Sequence, residues 1–344
     1  MSAMTEMRGA RDRAPSMADV AKHAGVSHQT VSRVLNDSPL VRPETRTRVL
    51  AAIEELGYRR NMAARMLATN RSRRIGVISA HLVLYGPNMI SAAVQEAGHK
   101  AGYDVSLVGL TELSRESLHD AVDRLLDQAV EALVVAVAHR DALAATRDLH
   151  LSIPVVVAQG VSAGQPMAAG VDQHAGAREA TQHLLDLGHS RVAHVTGPMD
   201  WLEADQRRVG WRDAHRERGL LPGPELDGDW SAESGYAAGL QIAADRDVTA
   251  VFAANDTMAL GVLKALHEKG RTVPAEISVV GFDDVPEAAY YWPSLTTVNQ
   301  DFDSLGRQAV ELTLRALDGE VDPVCDLVRP RVVERASSGP VRPS

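Results

Sequence analysis

At 344 residues the chain exceeds the roughly 100–200 residues of one ordinary core, so more than one core is expected, and its 45% hydrophobic and 24% charged residues exclude a disordered or fibrous chain. Apolar runs such as Ala132 to Ala138 fall far short of the ~18 residues of a membrane span, and the single cysteine, Cys325, excludes an intrachain disulfide and fits a reducing compartment. The net charge of −9 conceals an asymmetry: residues 1–74 hold 14 Lys and Arg against 7 Asp and Glu, a net +7, while the remainder holds 22 against 38, a net −16.

Residues 1–15 read as a disordered tail. No apolar segment follows Arg8, Arg11 and Arg13, so nothing there resembles a secretory leader, and the expected location is the cytoplasm. Residues 16–60 then show three short helical patterns. Ser16 caps the first, with Asp19 at the third helical position and Val20, Ala21 and Ala24 as its apolar stripe before Gly25. Ser27 caps the second, which carries Val31, Val34 and Leu35 and ends at Asn36-Asp37-Ser38-Pro39. The third opens at Pro43, where a missing N–H costs nothing, and runs through Val49, Ala52, Ile53 and Leu56 to Gly57.

Residues 61–74 form a basic connector containing a helical pattern of about eight residues, too short to be stable alone. From 75 onward short Val/Ile-rich runs alternate with amphipathic segments, as in βαβ units and parallel sheets. Expected strands are Ile75–Ser79, Val105–Val108, Ala132–Val137 and Val155–Val157, with a helix at Ser117–Gln128. A second series follows Asp172: Val192–Val195, a run near Leu226, Ala250–Ala254 and Ser278–Phe282, with a helix at Thr257–Lys269. The expected fold is therefore α/β: an all-α helix-turn-helix head on a body, residues 75–335, of two doubly wound parallel-sheet lobes. One lobe takes about 75–171 and 300–328, the other about 172–299 and 329–335, and 336–344 reads as a loose tail. Two such lobes bring their strand ends to facing surfaces of one cleft, where ligands of open α/β sheets bind.

The run Met17-Ala-Asp-Val-Ala-Lys-His-Ala-Gly-Val-Ser-His-Gln-Thr-Val-Ser-Arg-Val-Leu-Asn36 resembles the helix-turn-helix of the lactose/galactose repressor family. The resemblance continues through Glu54–Tyr58, Gly188-His189, Ala254–Gly261, Ile277–Asp284 and Pro293–Thr297, and covers about residues 16–335. Gly228–Ala232 and Gln300-Asp-Phe302 place it nearest the family's lactose-responsive branch. The resemblance implies that the second helix enters the major groove of a pseudo-palindromic operator. His28, Gln29 and Arg33 would then face base edges, while Met17, Ser27, Ser32, Asn36 and Thr45 would hold the backbone. Leu67 matches the position of a minor-groove wedge in the connector. The lactose branch has tyrosine where this chain has His28, so its operator does not carry over.

In the body, the resemblance implies sugar-hydroxyl ligands at Arg207, Asn255 and Asp283, a stacking face at Trp230 with Phe302 nearby, and Gln300 at the cleft edge. From sequence alone Arg207 reads equally as a surface ion pair and Asp283 as a helix cap. Three positions depart from the lactose branch: Gln159 replaces an aspartate, and Trp201 and Glu203 replace two serines. Trp201 adds an aromatic face and Glu203 a charge, so β-galactoside specificity does not transfer.

Other classes find less support. Dinucleotide, Walker, zinc-protease and nucleophile-elbow motifs are absent, no cofactor or metal is implied, and an enzyme is not expected. A secreted sugar-binding protein would share the lobes but would lack the basic head. The expected partners are operator DNA, a sugar effector and a second copy of the chain, since two half-sites need two heads. No apolar heptads follow Arg335, so assembly is expected to stop at a dimer.

Overall fold

The computed structural model describes residues 15–35, 37–59, 66, 71–112, 114–147 and 151–341, and the chain divides into two compact units, residues 1–72 and 73–344. The first holds α1 (Met17–Ala24), α2 (His28–Leu35) and α3 (Pro43–Leu56). Ser16 and Asp19 form a reciprocal capping box on α1, satisfying N–H groups that the first turn leaves unpaired. Gly25, in left-handed conformation at φ 63°, stops the helix, and Val26 N–H returns to Ala21 O at 3.0 Å. Val20, Ala21, Ala24, Val31, Val34, Val49, Ala52 and Tyr58 close a small core. Arg46 of α3 fixes the loop after α2 by donating to Asp37 Oδ1 at 2.5 Å and Ser38 O at 2.9 Å.

The second unit begins with β1 (Arg74–Ala80), α4 (Tyr85–Lys100), β2 (Asp104–Leu110), α5 (Arg115–Leu126), β3 (Ala132–Ala136), α6 (Arg140–Arg147), β4 (Val155–Ala158) and β5 (Ala168–Ala169). Their strands make a parallel sheet of order β2-β1-β3-β4-β5. Then come α7 (Gln173–Asp186), β6 (Val192–Val195), α8 (Leu202–Glu217), β7 (Glu225–Leu226), α9 (Ala232–Ala244), β8 (Ala250–Ala253), α10 (Asp256–Glu268) and β9 (Ser278–Val280). These build a second parallel sheet, β7-β6-β8-β9. The helices α9 and α10 meet backbone to backbone: a Cβ on Gly261 would lie 2.0 Å from Ala232 O, so only glycine admits that approach.

The chain returns to the first lobe with α11 (Phe302–Leu317), which packs on α4, β4 and β5. It ends the second lobe with β11 (Arg331–Val333), antiparallel to β10 (Thr297–Asn299) and against α7. Most expected elements shift by one or two residues at their ends, and two differences have a physical reason. The expected strand Ser278–Phe282 stops at Val280 because the next segment turns to β10, Gly281 N–H donating to Thr296 O and Asp283 N–H to Val298 O at 2.9 Å each. Residues 336–341, expected to be loose, pack on the second lobe instead. Ser337 is fully buried, its carbonyl accepts from Val279 N–H at 2.8 Å, and its hydroxyl donates to Val279 O at 2.6 Å. Those bonds satisfy the backbone of β9, the last strand of its sheet. Among the described residues no helix is long and apolar enough to cross a membrane.

Candidate functional site

On α2 the helical period separates two faces. Val31 and Val34 enter the core, whereas His28, Gln29 and Arg33 are exposed on the opposite side with Ser32 half-buried beside them. This face offers a fork of guanidinium donors, an amide and an imidazole on one short helix. Ser27 differs from a simple surface hydroxyl: its Oγ accepts Thr30 N–H at 3.1 Å and so caps α2. Thr45 is half-buried in the first turn of α3. Met17, the first residue of α1, lays its side chain on the head's core. Asn36 and Leu67 lie outside the described residues.

The body's cleft lies between its lobes. The first lobe contributes the start of α4, with Tyr85, and Gln159 after β4; the second contributes Trp201, Glu203, Arg207, Trp230, Asn255 and Asp283; Gln300 stands at the crossing. Backbone pairing holds the lobes together at one edge: Leu202 N–H donates to Ala138 O at 2.9 Å and Arg140 N–H to Asp200 O at 3.1 Å.

Its floor is a ring of buried polar groups. Arg207, 3% exposed, donates from Nε to Gln173 Oε1 at 2.9 Å; Gln173 Nε2 donates to Gln300 Oε1 at 2.8 Å; Gln300 Nε2 donates to Asp283 Oδ1 at 2.6 Å. Asp283 Oδ1 in turn lies 3.8 Å from Arg207 Nη2. An arginine can only donate and an ionised aspartate only accept, so the two amides between them have one workable orientation. Arg207 also donates to Ala254 O at 2.5 Å and stacks with its Cζ 3.9 Å from the Phe282 ring centroid. Burial lowers the pKa of Arg207 against the pull of Asp283 and Glu203. Burial likewise raises Asp283 to about 6, opposed by Arg207 and Gln300.

Aromatic rings form the wall. Trp201 meets Trp230 edge to face, centroids 5.8 Å apart at 73°, and its other neighbour is His81 at 5.4 Å. Trp230 rests on Gly197, where any Cβ would come within 2.2 Å of the indole. The Trp230 carbonyl accepts from Asn255 Nδ2 at 3.1 Å, while Asn255 Oδ1 caps α10 through Met258 N–H at 2.8 Å. Asn255 therefore shapes the cleft as well as facing it. The indole N–H of Trp230 and the amide oxygen of Gln159 are buried with no hydrogen-bond partner among the described residues.

The ring settles two readings that the sequence left open. Arg207 is no surface ion pair, and the Asp283 carboxylate belongs to the floor. Phe302 does not line this cleft: it stands behind Tyr85, ring centroids 5.9 Å apart, in the core of the first lobe. Tyr85 and Gln173 escaped the sequence reading. Gln173 opens α7 with no motif around it, and its partner lies 127 residues away.

The head matches the family of bacterial regulatory proteins of the lacI type over residues 16–61, and residues 181–338 match a periplasmic binding protein-like domain. The lactose operon repressor of Escherichia coli K12 is 37% identical over 306 residues, 88% of this chain and 84% of that protein. The regulator CelR of Thermobifida fusca is 34% identical over 95% of this chain and 99% of its own length. The lac repressor dimer bound to operator and the anti-inducer ONPF superposes with a TM-score of 0.83 at 35% identity, covering 95% of this chain and all of that one. A CelR–cellobiose complex superposes at 0.69, with 32% identity over 94% of this chain and all of that one. With the exposed reading face on α2 and the two-lobed body, these likenesses make the chain a DNA-binding transcriptional regulator of the lacI family.

Proposed function

We propose that the chain represses sugar-utilisation genes by binding a pseudo-palindromic operator as a homodimer, and that a sugar held in the cleft releases it. The observation that carries the effector half is the closed ring Arg207–Gln173–Gln300–Asp283 beneath two tryptophan faces. It joins side chains from the crossing and the second lobe, so a ligand seated on it bears on the arrangement of the two lobes. Planar bidentate groups suit vicinal hydroxyls, and indole faces suit the C–H surface of a pyranose. The relatives favour the same reading, one solved with ONPF and another with cellobiose. Their substrates do not carry over, because Gln159, Trp201 and Glu203 give this cleft its own lining.

At the DNA half, Arg33 and Gln29 supply base-edge contacts and Thr45 and the helix starts supply phosphate contacts. Tyr290 and Trp292, 88% and 94% exposed on the short 3-10 turn Pro286–Tyr290 and just beyond it, give the body an uncovered aromatic surface suited to a second copy. A thermal-shift screen of mono- and disaccharides tests the effector reading, since a ligand of the folded body alone raises its melting temperature by mass action. A hit that also lowers operator affinity in a gel-shift titration is the expected result. Hits that leave operator binding unchanged would contradict it.

A further inference from the structure

Glu203 stands apart from the other groups of the cleft. It is the second residue of α8 and is 7% exposed, yet among the described residues no basic side chain lies within ion-pair distance of it. Gln159, from the opposite lobe, lines the same cleft and acts to favour the charged form of Glu203. Gln159 is itself 3% exposed and holds a positive φ of 127°, and its amide oxygen has no partner among the described residues. A buried carboxylate and an orphaned amide oxygen therefore line the same cleft from opposite lobes, both as acceptors. Such an arrangement is costly until donors arrive. Burial raises the Glu203 pKa to about 7, as expected of a carboxylate still lacking those donors.

The charges of the lining narrow the class of donor. Glu203 and Asp283 face one cation, Arg207, whose Nε and Nη1 are already committed to Gln173 and Ala254. A phosphate or carboxylate on the ligand would add a third negative charge to a buried site with one guanidinium nitrogen left to meet it. Hydroxyls fit better, since each donates to one acceptor and accepts from one donor. The unpaired Trp230 N–H supplies such a donor on the same wall.

We infer that Glu203 and Gln159 form a specificity subsite spanning both lobes, which accepts hydrogen bonds from adjacent hydroxyls of an uncharged sugar ring and rejects sugar phosphates and uronates. The inference rests on reading the cleft as a sugar site and says which sugars it takes. A ligand seated there links Gln159 and Glu203 through its own hydroxyls.

Isothermal titration of the full chain with glucose, galactose, lactose and cellobiose, each beside its 6-phosphate, together with glucuronate, tests it. At least one neutral sugar should bind, with its phosphate at least 100-fold weaker. Monodeoxy analogues of that sugar should show one or two neighbouring hydroxyls costing the wild type 10-fold or more. In Glu203→Gln the same deletions should cost less than 3-fold; a merely structural role would weaken all analogues alike. Equal or tighter binding of a phosphate or a uronate overturns the inference while leaving a sugar site in place, as does a deoxy pattern unchanged by Glu203→Gln. Failure of every sugar to bind overturns the effector reading itself.

Discussion

Replacing Gln173 by alanine removes the central link of the ring while leaving every cleft-facing group in place. Arg207 Nε and Gln300 Oε1 would lose partners now at 2.9 and 2.8 Å, in a region where each of the four ring residues is less than 10% exposed. An unsatisfied buried group costs about 1–3 kcal/mol, so two cost ~2–6 kcal/mol. Arg207 keeps Ala254 O and can close its 3.8 Å gap to Asp283, which brings the expectation to ~2–4 kcal/mol. For a body of this size that is roughly 5–15 °C in melting temperature. All four tryptophans lie in the body, so urea unfolding followed by their fluorescence reports on it alone. Gln182→Ala, on the same helix but losing only an exposed bond to Glu217, is the control and should stay within ~0.5 kcal/mol. Gln173→Glu carries the sharper test. It still accepts from Arg207 but donates nothing to Gln300, which cannot turn its amide without abandoning Asp283. A Gln173→Glu protein as stable as the wild type, or a Gln173→Ala loss no larger than the control's, would refute the ring's directional role.

Three further outcomes follow from the same geometry. Arg33→Ala should lose ~1–3 kcal/mol at one operator base position, whereas Thr45→Ala should weaken all operators alike; a gel-shift panel showing uniform loss for Arg33→Ala would remove its base-reading role. Gly197→Ala must push the Trp230 indole away, because the new methyl would lie 2.2 Å from it, so sugar affinity should fall at least 10-fold by calorimetry while operator affinity in the absence of sugar stays unchanged. Glu203 adds a pH dependence, its folded pKa of about 7 lying above the ordinary value of 4.5 under the influence of burial, Arg207, Asp283 and Gln159. The folded state then binds more protons than the unfolded one between those values, so this group's contribution is present below pH 4.5 and lost as pH rises toward and through 7. Glu203→Gln should accordingly gain stability relative to the wild type from pH 5 to 8 in paired urea titrations, and a constant difference would contradict the assignment.

The sequence was most informative where structure is local. Ser16, Asp19, Gly25, Pro43 and Gly57 mark helix ends within a few residues of themselves, and α1 to α3 start and stop where those residues place them. Long Val/Ile runs gave the inner strands for the same reason. The two- and three-residue strands β5, β10 and β11 carry too little pattern to be seen, and each is defined by partners far away in sequence. The packed segment 336–341 was misread because its Ser, Gly and Pro content looks like a tail, whereas its backbone is held by β9 and by Thr296. In the cleft, motif matching found Arg207, Asn255, Asp283 and Gln300 but could not tell Phe302's supporting place behind Tyr85 from a wall position, nor find Gln173. Side-chain networks between distant segments leave no periodicity to read.

The central claim, that the cleft of the body controls the reading head, is tested most directly at Asp283. Asparagine there keeps an oxygen for Gln300 and tolerates the positive φ of 115°, so the fold and the head should be untouched. It replaces an acceptor facing the ligand by an amide donor, which should cost ~1–3 kcal/mol, or roughly 10- to 100-fold in the sugar concentration needed for release. Fluorescence anisotropy of labelled operator with Asp283→Asn, titrated with the sugar that stabilises the wild type, makes the measurement. The account predicts wild-type operator affinity without sugar and a release curve displaced at least 10-fold to higher sugar. Release at the wild-type concentration would contradict it.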